Sequence, residues 1–351
     1  MSYRWTESVL RPWVAELFGA AGLSEEDSRH VADSLVESSL LGHDSHGLLR
    51  VLEYIAQLQS GEMVAGAPLE VLRESAGHLL CDAHRGPGQV QCRRLIDRLI
   101  EKADVAGVAS GAMRQCGHTG RLGEWGALIA SRGYCGLVSV NDNGVPLVVA
   151  PPGGLAARVS TNPVSLGIPT GGEPFVLDIS TSAVANGKLK AARLAGRSVP
   201  EGWIQDAQGQ STTDPHVMLA DPPGTLLPFG GDQAYKAFGL SLLLDMLVSG
   251  LSGGFCPPAP EGTVEFNNVL MVVWNPDLFA GRTHVEREAR RLVEFVRATP
   301  TKPGVEQVQL PGDRGSATRA QRVRDGVPVP DDLATKLGEL AARLGVRRSP
   351  E

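Results

Sequence analysis

Ser24-Glu25-Glu26-Asp27 has the form of a capped helix start, and Val31, Leu35, Ser39 and Leu40 follow it as one apolar-to-small stripe at helical spacing. Gly42 ends that stripe. A second begins near His46 with Leu49, Leu52, Ile55 and Ala56, which sets His46 and Arg50 four residues apart on one predicted helix face. The pattern then changes period. Residues 78–83 predict a strand, a helix follows Gly86-Pro87-Gly88 to about residue 102, and residues 105–109 predict a strand leading toward His118. A helix over about 120–131 and a strand over 136–140 continue the alternation, which predicts an α/β fold.

The middle of the chain is punctuated by Ala150-Pro151-Pro152-Gly153-Gly154, Thr161-Asn162-Pro163 and Ile168-Pro169-Thr170-Gly171-Gly172. Apolar runs over 145–149 and 164–168 lie between them, so these are loops returning to a sheet edge rather than a flexible linker. Residues 265–274 predict another strand. Thr283-His284-Val285-Glu286 predicts a capping box for a helix to about residue 298, and Leu333, Leu337, Leu340 and Leu344 predict a docked C-terminal helix.

Size and charge narrow the function classes. A chain of 351 residues, 42% of them hydrophobic, is long enough for a large core in one composite domain or two. Its net charge of −6 and lack of a basic block disfavour general nucleic-acid binding. The start lacks the apolar stretch of a secretory signal, and the strongest apolar run, 240–248, is interrupted by Ser241 and Asp245 and predicts a buried helix rather than a membrane span. Five scattered cysteines, at 81, 92, 116, 135 and 256, fit a reducing compartment, and the cytoplasm is the expected location.

Two polar stretches carry the candidate chemistry: Asp44-Ser45-His46-Gly47-Leu48-Leu49-Arg50 and Gly117-His118-Thr119-Gly120. A guanidinium at Arg50 can clamp a carboxylate through two parallel hydrogen bonds. An imidazole titrates near neutrality, so His118 can exchange a proton while His46 orients a small anionic substrate. The plainer reading has Arg50 in an ion pair with Glu53 or Asp44 and both histidines capping loops. Cys116 reads as a buried bystander. Gly117-His118-Thr119-Gly120-Arg121-Leu122-Gly123 lacks the Rossmann spacing, and Gly230-Gly231 lacks the Lys-Ser/Thr of a phosphate loop. His43, Asp44 and His46 have no further ligands at a characteristic interval, so no metal is expected.

Taken in order, the landmarks resemble the malate/L-lactate dehydrogenase family that lacks a Rossmann domain. They run from Asp44-Ser45-His46-Gly47 with Arg50, through Gly117-His118 with Gly120 and Gly123, to Leu177-Asp178-Ile179-Ser180-Thr181-Ser182. Gly187-Lys188, Pro200-Glu201-Gly202-Trp203, Leu227-Pro228-Phe229-Gly230-Gly231 and Leu310-Pro311-Gly312-Asp313 complete the series over essentially the whole chain. Members include L-sulfolactate and ureidoglycolate dehydrogenases, diketogulonate reductase, and reductases of piperideine- or pyrroline-2-carboxylate.

The resemblance implies an L-sulfolactate dehydrogenase-like α/β fold. In it, 76–287 form a mixed-sheet NAD(P)-binding domain, and 1–75 with 288–351 form a largely helical substrate and dimerisation domain. It implies NAD or NADP as cofactor, a small 2-oxo or 2-hydroxy acid as substrate, and a homodimer. It places His118 as acid/base, Ser45, His46 and Arg50 on the substrate side, and Asp142 near the nicotinamide. Val176, Leu177 and Asp178 fall near the ribose or phosphates with Lys188 close by, and Gly312 and Asp313 near the adenosine half. Asp178 would favour NAD, whereas Arg158, Lys188, Lys190 and Arg193 offer charge for NADP. Two departures stand out: His118-Thr119-Gly120 where many members have His-Phe-Gly, and Tyr235-Lys236-Ala237-Phe238-Gly239-Leu240 where His-Lys-Gly-Tyr-Gly-Leu is usual. They leave open a cyclic imino acid substrate. A catalytically idle sensor of a dinucleotide or small acid is the alternative from another class.

Overall fold

The computed structural model describes residues 2–194 and 196–350. β1 (Ser2–Trp5) leads into α1 (Glu7–Ala20), α2 (Glu25–Leu40) and α3 (Leu49–Ser60). The expected cap of α2 is present: the Ser24 side chain accepts the Asp27 N–H at 3.1 Å, and three acidic residues in the first turn complement the helix dipole. Between α2 and α3 the chain departs from expectation. His46 closes a short 3-10 turn, Asp44–His46, and is not on the helix that carries Arg50. Gly47 is the reason. A Cβ there would lie 2.1 Å from Ser39 Oγ, so the chain can press against α2 only at glycine, and it bends before α3 begins.

β2 (Glu70–Glu74), β3 (His78–Asp82), α4 (Gly88–Ala106), β4 (Val108–Cys116), α5 (Gly123–Ser131) and β5 (Cys135–Asn141) follow. Val105 is therefore the exposed end of α4 and not part of a strand, because the helix runs on until Gly107 reverses it at a φ of 79°. β6 (Val164–Ile168) and β7 (Phe175–Ile179) fold back to a sheet edge, as the Pro/Gly punctuation implies. After α6 (Asn186–Leu194), the strands β8 (Ile204–Gln205), β9 (Ser211–Thr212) and β10 (Thr225–Leu226) make a small separate sheet.

α7 (Ala234–Ser252), β11 (Asn267–Trp274), α8 (Arg282–Arg297), α9 (Asp313–Asp325), β12 (Val327–Pro330) and α10 (Asp331–Arg343) complete the chain. α8 starts at Arg282 after Gly281, so Thr283 lies inside it and forms no capping box; Asp277 Oδ1 accepts the Arg282 N–H at 2.9 Å instead. The apolar run on α7 is buried on one side only. Leu244 and Val248 face the sheet, while Leu243, Met246, Leu247 and Leu251 are exposed. Among the described residues the segment Gly231–Ser252 is also long and apolar enough to cross a membrane, with mean hydropathy 1.3. Here it packs on β11 and β5, and its Asp245 accepts hydrogen bonds from Asn141 and Asn162.

The main sheet has the order β2-β3-β4-β11-β5-β6-β7. Its strands pair antiparallel except β3 with β4, so among the described residues there is no run of parallel strands in which a Rossmann crevice could form. The fold is the mixed-sheet α/β arrangement expected, with helices from both chain ends. β1 pairs with β12, and Trp5, Trp13, Phe18, Leu35, Ile55, Leu337 and Leu340 share one buried core. Each such side chain contributes about 1.5–3 kcal/mol relative to exposure.

Candidate active site

β4, β11 and β5 are neighbours, and their antiparallel pairing brings the end of β4, the start of β11 and the end of β5 to the same margin of the sheet. Gly117 and His118 leave β4 there, and Asp142 follows β5. Asn267 joins them: its Oδ1 accepts the Thr119 N–H at 2.9 Å, and its Nδ2 donates to Asp142 Oδ1 at 2.9 Å. A second wall comes from α4, whose first residue touches the same loop. A Cβ on Gly88 would lie 2.4 Å from the carbonyl oxygens of Gly117 and His118, so only glycine permits this approach.

These elements enclose a cavity of about 390 Å³. His118, His46, Arg50, Ser45, Asp142, Asp178 and Lys188 all line it, although they come from distant parts of the chain. The His46 and His118 rings stack with centroids 5.7 Å apart. Ser45 Oγ lies 3.0 Å from His46 Nδ1, and Ser45 O accepts from Arg50 Nε at 3.0 Å.

His118 is held from behind. Its Nδ1 lies 2.5 Å from the hydroxyl of Tyr54, a side chain with no exposed surface, and it accepts the Gly120 N–H at 3.3 Å. A ring nitrogen that accepts a backbone N–H carries no hydrogen, so the neutral ring is assigned with its proton on Nε2. Burial first, then the charge of Arg50, holds His118 well below the usual imidazole range. Burial and Arg50 likewise push His46 down to about 3, and burial with Arg121 pushes His43 down to about 4. All three imidazoles are neutral at neutral pH. Tyr54 is pushed upward by burial and remains a phenol.

The plainer reading of Arg50 is also realised: its Nη1 meets both Glu53 oxygens at 2.7 Å, while Asp44 pairs with Arg322 instead. Among the described residues Arg50 Nη2 makes no hydrogen bond. Asp142 is engaged on both oxygens, by Ser160 Oγ and by Asn267, and burial raises its carboxyl above the ordinary range. Asp178 accepts the Gly123 N–H at 2.8 Å, with Arg121 3.9 Å away, so part of its carboxylate caps α5.

The start of α6, Lys188, His43 and Arg121 also line the cavity, and Arg121 and Lys188 are close enough to act on His43. Arg121 Nε is buried without a hydrogen-bond partner. A helix N-terminus and a guanidinium whose Nε lacks a partner, lining one cavity, suit the phosphates of a dinucleotide. Other expected residues lie elsewhere. Val176 and Leu177 are half-buried on β7 and do not line the cavity. Gly312 and Asp313 do not line it either; Asp313 accepts from Arg297 at 2.5 Å and from the Leu310 N–H at 2.8 Å. Their neighbour Arg314 stands close enough to depress Lys188 and His43. Among the described residues no group of three or more His, Cys, Asp or Glu side chains is arranged to hold a metal ion.

Residues 5–338 match the model of the malate/L-lactate dehydrogenase family. The chain belongs to that family. It is 33% identical to an L-lactate dehydrogenase from Cupriavidus necator, over 96% of each chain. It superposes on malate dehydrogenase from Pyrococcus horikoshii with a TM-score of 0.88 at 28% identity, covering 99% of this chain and 97% of that one. A delta1-piperideine-2-carboxylate reductase from Pseudomonas syringae gives 0.79 at 31% identity, covering 97% and 100%. Membership makes this family protein an oxidoreductase and implies a nicotinamide dinucleotide cofactor.

Tyr54, Asn267, Arg121 and Glu265 are site residues that sequence reasoning does not single out. Tyr54 falls in an apolar helical stripe, where a tyrosine looks like any core residue. The Thr119–Asn267 contact spans 148 residues, beyond the reach of local pattern.

Proposed function

We propose that this family member transfers a hydride between NAD or NADP and C2 of a small anionic 2-oxo or 2-hydroxy acid. The observation that carries this reading is the buried His118, with Nε2–H free for the cavity and Nδ1 held by Tyr54, in a space it shares with His46 and Arg50. The bound nicotinamide supplies the hydride donor or acceptor. Arg50 binds the substrate carboxylate through the guanidinium edge that Glu53 leaves open. Asp142 lies on the nicotinamide side, and Arg121 and Lys188 receive phosphate oxygens.

Reduction consumes one proton. Burial and the charge of Arg50 together keep His118 neutral; a carboxylate beside Arg50 offsets the second of these and adds a negative charge near the ring, which favours its taking up a proton as the anionic substrate binds. His118 then gives the Nε2 proton to the substrate oxygen and keeps hydrogen on Nδ1, where the Tyr54 oxygen accepts it. Oxidation runs in reverse from that neutral Nδ1–H tautomer, whose bare Nε2 takes the hydroxyl proton as the hydride leaves C2. Ser45 and His46, next to Arg50 and His118, fix the substrate's orientation.

We assign the substrate side to 1–75 with 288–351 and the coenzyme side to 76–287. A homodimer is supported by the exposed apolar side chains of α7, and a reducing cytoplasm by the five free thiols. Loss of reduced-nicotinamide absorbance with a panel of 2-oxo acids and cyclic imino acids, under NADH or NADPH, tests the reading. Turnover of open-chain oxo acids supports it. The likeness to a piperideine-2-carboxylate reductase favours reduction of a cyclic imine as the second reading, and turnover confined to C=N substrates would select it. Dinucleotide binding without turnover of either class would make the protein a sensor.

A further inference from the structure

The electrostatic neighbours divide the cavity into two halves. Arg121, Lys188 and Arg314 act on His43, Arg314 acts on Lys188, and Asp178 is the carboxylate that Arg121 and Lys188 face. Glu265 belongs to a different set: the groups that act on it are Asp142 after β5, Glu53 and Arg50 on α3, and Glu62 just beyond α3. His46 feels Arg50 from one set and Arg121 with Lys188 from the other, so it stands between them. The half away from the phosphate-binding cations is therefore rich in carboxylates.

Those carboxylates are not equivalent. Asp142 is satisfied by Ser160 and Asn267, and Glu53 is paired with Arg50 at 2.7 Å. Arg85, the other guanidinium lining this half, donates to Gly61 O at 3.2 Å. Glu265 lines the cavity from an exposed position, and among the described residues its carboxyl pairs with no cation and accepts no hydrogen bond. Burial of the carboxyl and the charges of Asp142 and Glu53 push it up to about 7.

Glu265 lines the same cavity as Arg50 and His118, so a 2-oxo acid with C1 on Arg50 and C2 at His118 would reach it if its side chain extends toward Glu53 and Glu62. Once the substrate's own carboxylate has used Arg50, a second carboxylate would meet like charge. A cation would give Glu265 the partner it lacks. We propose that Glu265 selects the substrate's tail, favouring 2-oxo acids whose side chain ends in an ammonium or guanidinium over those ending in a second carboxylate. This rests on the 2-oxo acid reading above.

The test compares kcat/KM for 5-guanidino-2-oxopentanoate, 2-oxopentanoate and 2-oxoglutarate in the full chain, with wild type, Glu265→Gln and Glu265→Lys. Taking ratios between substrates cancels the titration of His118 and any general loss of activity. The wild type should prefer the guanidino acid to the neutral acid by about tenfold, and disfavour 2-oxoglutarate by about tenfold. The cation preference should grow as pH rises through about 7, where the carboxyl ionises. Glu265→Gln should bring both ratios toward one and remove their pH dependence, and Glu265→Lys should turn the preference toward 2-oxoglutarate. Wild-type turnover with no discrimination among tails, or ratios unchanged in both variants, overturns the role of Glu265 alone. Failure of the wild type on all three acids overturns the 2-oxo acid reading and this inference with it.

Discussion

Replacing Tyr54 by Phe removes one oxygen from the interior and should disable much of the proton transfer. The hydroxyl lies 2.5 Å from His118 Nδ1, accepts from Gln89 Nε2 at 3.3 Å, and has no exposed surface. When His118 is protonated, Nδ1–H loses its acceptor, and a hydrogen bond to a charged group is worth about 1.5–3 kcal/mol. At about 1.4 kcal/mol per decade, kcat/KM for reduction should fall roughly 10- to 100-fold. Dinucleotide affinity, measured by the fluorescence of bound reduced cofactor, should stay within about twofold, because Tyr54 does not line the cavity. Steady-state rates across a pH series complete the assay: the variant's deficit should be larger for reduction with a poorly activated oxo acid, where proton donation limits the rate. Unchanged kcat/KM in Tyr54→Phe would refute the claim that His118 works through this contact.

Three further outcomes follow from the geometry. Gly88→Ala sets a methyl 2.4 Å from two backbone oxygens of the His118 loop, so it should lose about 1–3 kcal/mol of stability in chemical denaturation and most of the activity, whereas Gly239→Ala, in an open helical position, should gain about 0.5–1 kcal/mol. Because the free His118 titrates well below the usual range, kcat/KM for hydroxy-acid oxidation should be flat from about pH 6 to about pH 9, while that for reduction drops close to tenfold per unit throughout; a bend in both profiles near about pH 6.5 would show an ordinary imidazole and contradict this. Glu265 has a folded pKa raised from 4.5 to about 7, so ionising it costs stability that is intact below the lower value and lost as pH rises through the upper one. Glu265→Gln should therefore melt with the wild type near about pH 4 and above it near about pH 8; equal Tm values at both would show that the carboxyl is unperturbed.

Much of the site is legible in short, local signals. Ser45, His46, Arg50 and His118 stand in polar stretches beside glycine, and the cavity gathers all four. The cap at Ser24 and the leucine stripe of α10 also follow from local rules, since both depend on neighbours within a turn or two. What escapes is long-range or disguised. Asp142, Asn267 and His118 meet only because β4, β11 and β5 are adjacent in the sheet, and nothing in residues 105–142 announces that β11 will insert between the other two. The shared helix face inferred for His46 and Arg50 fails because Gly47 is needed for close packing on Ser39, yet the two side chains reach the same cavity by another route. Glu265 looks like an ordinary strand-edge carboxylate until its neighbours Asp142 and Glu53 are in place.

The most direct test of the central claim is the rate at which wild type and His118→Ala oxidise NADH or NADPH in the presence of a 2-oxo acid the wild type turns over, with cofactor binding measured on the same samples. The account predicts that His118→Ala binds the dinucleotide normally and loses turnover by about 10²- to 10⁴-fold. Equal turnover in the two proteins would contradict it, because the proton would then be reaching the substrate from a group other than His118.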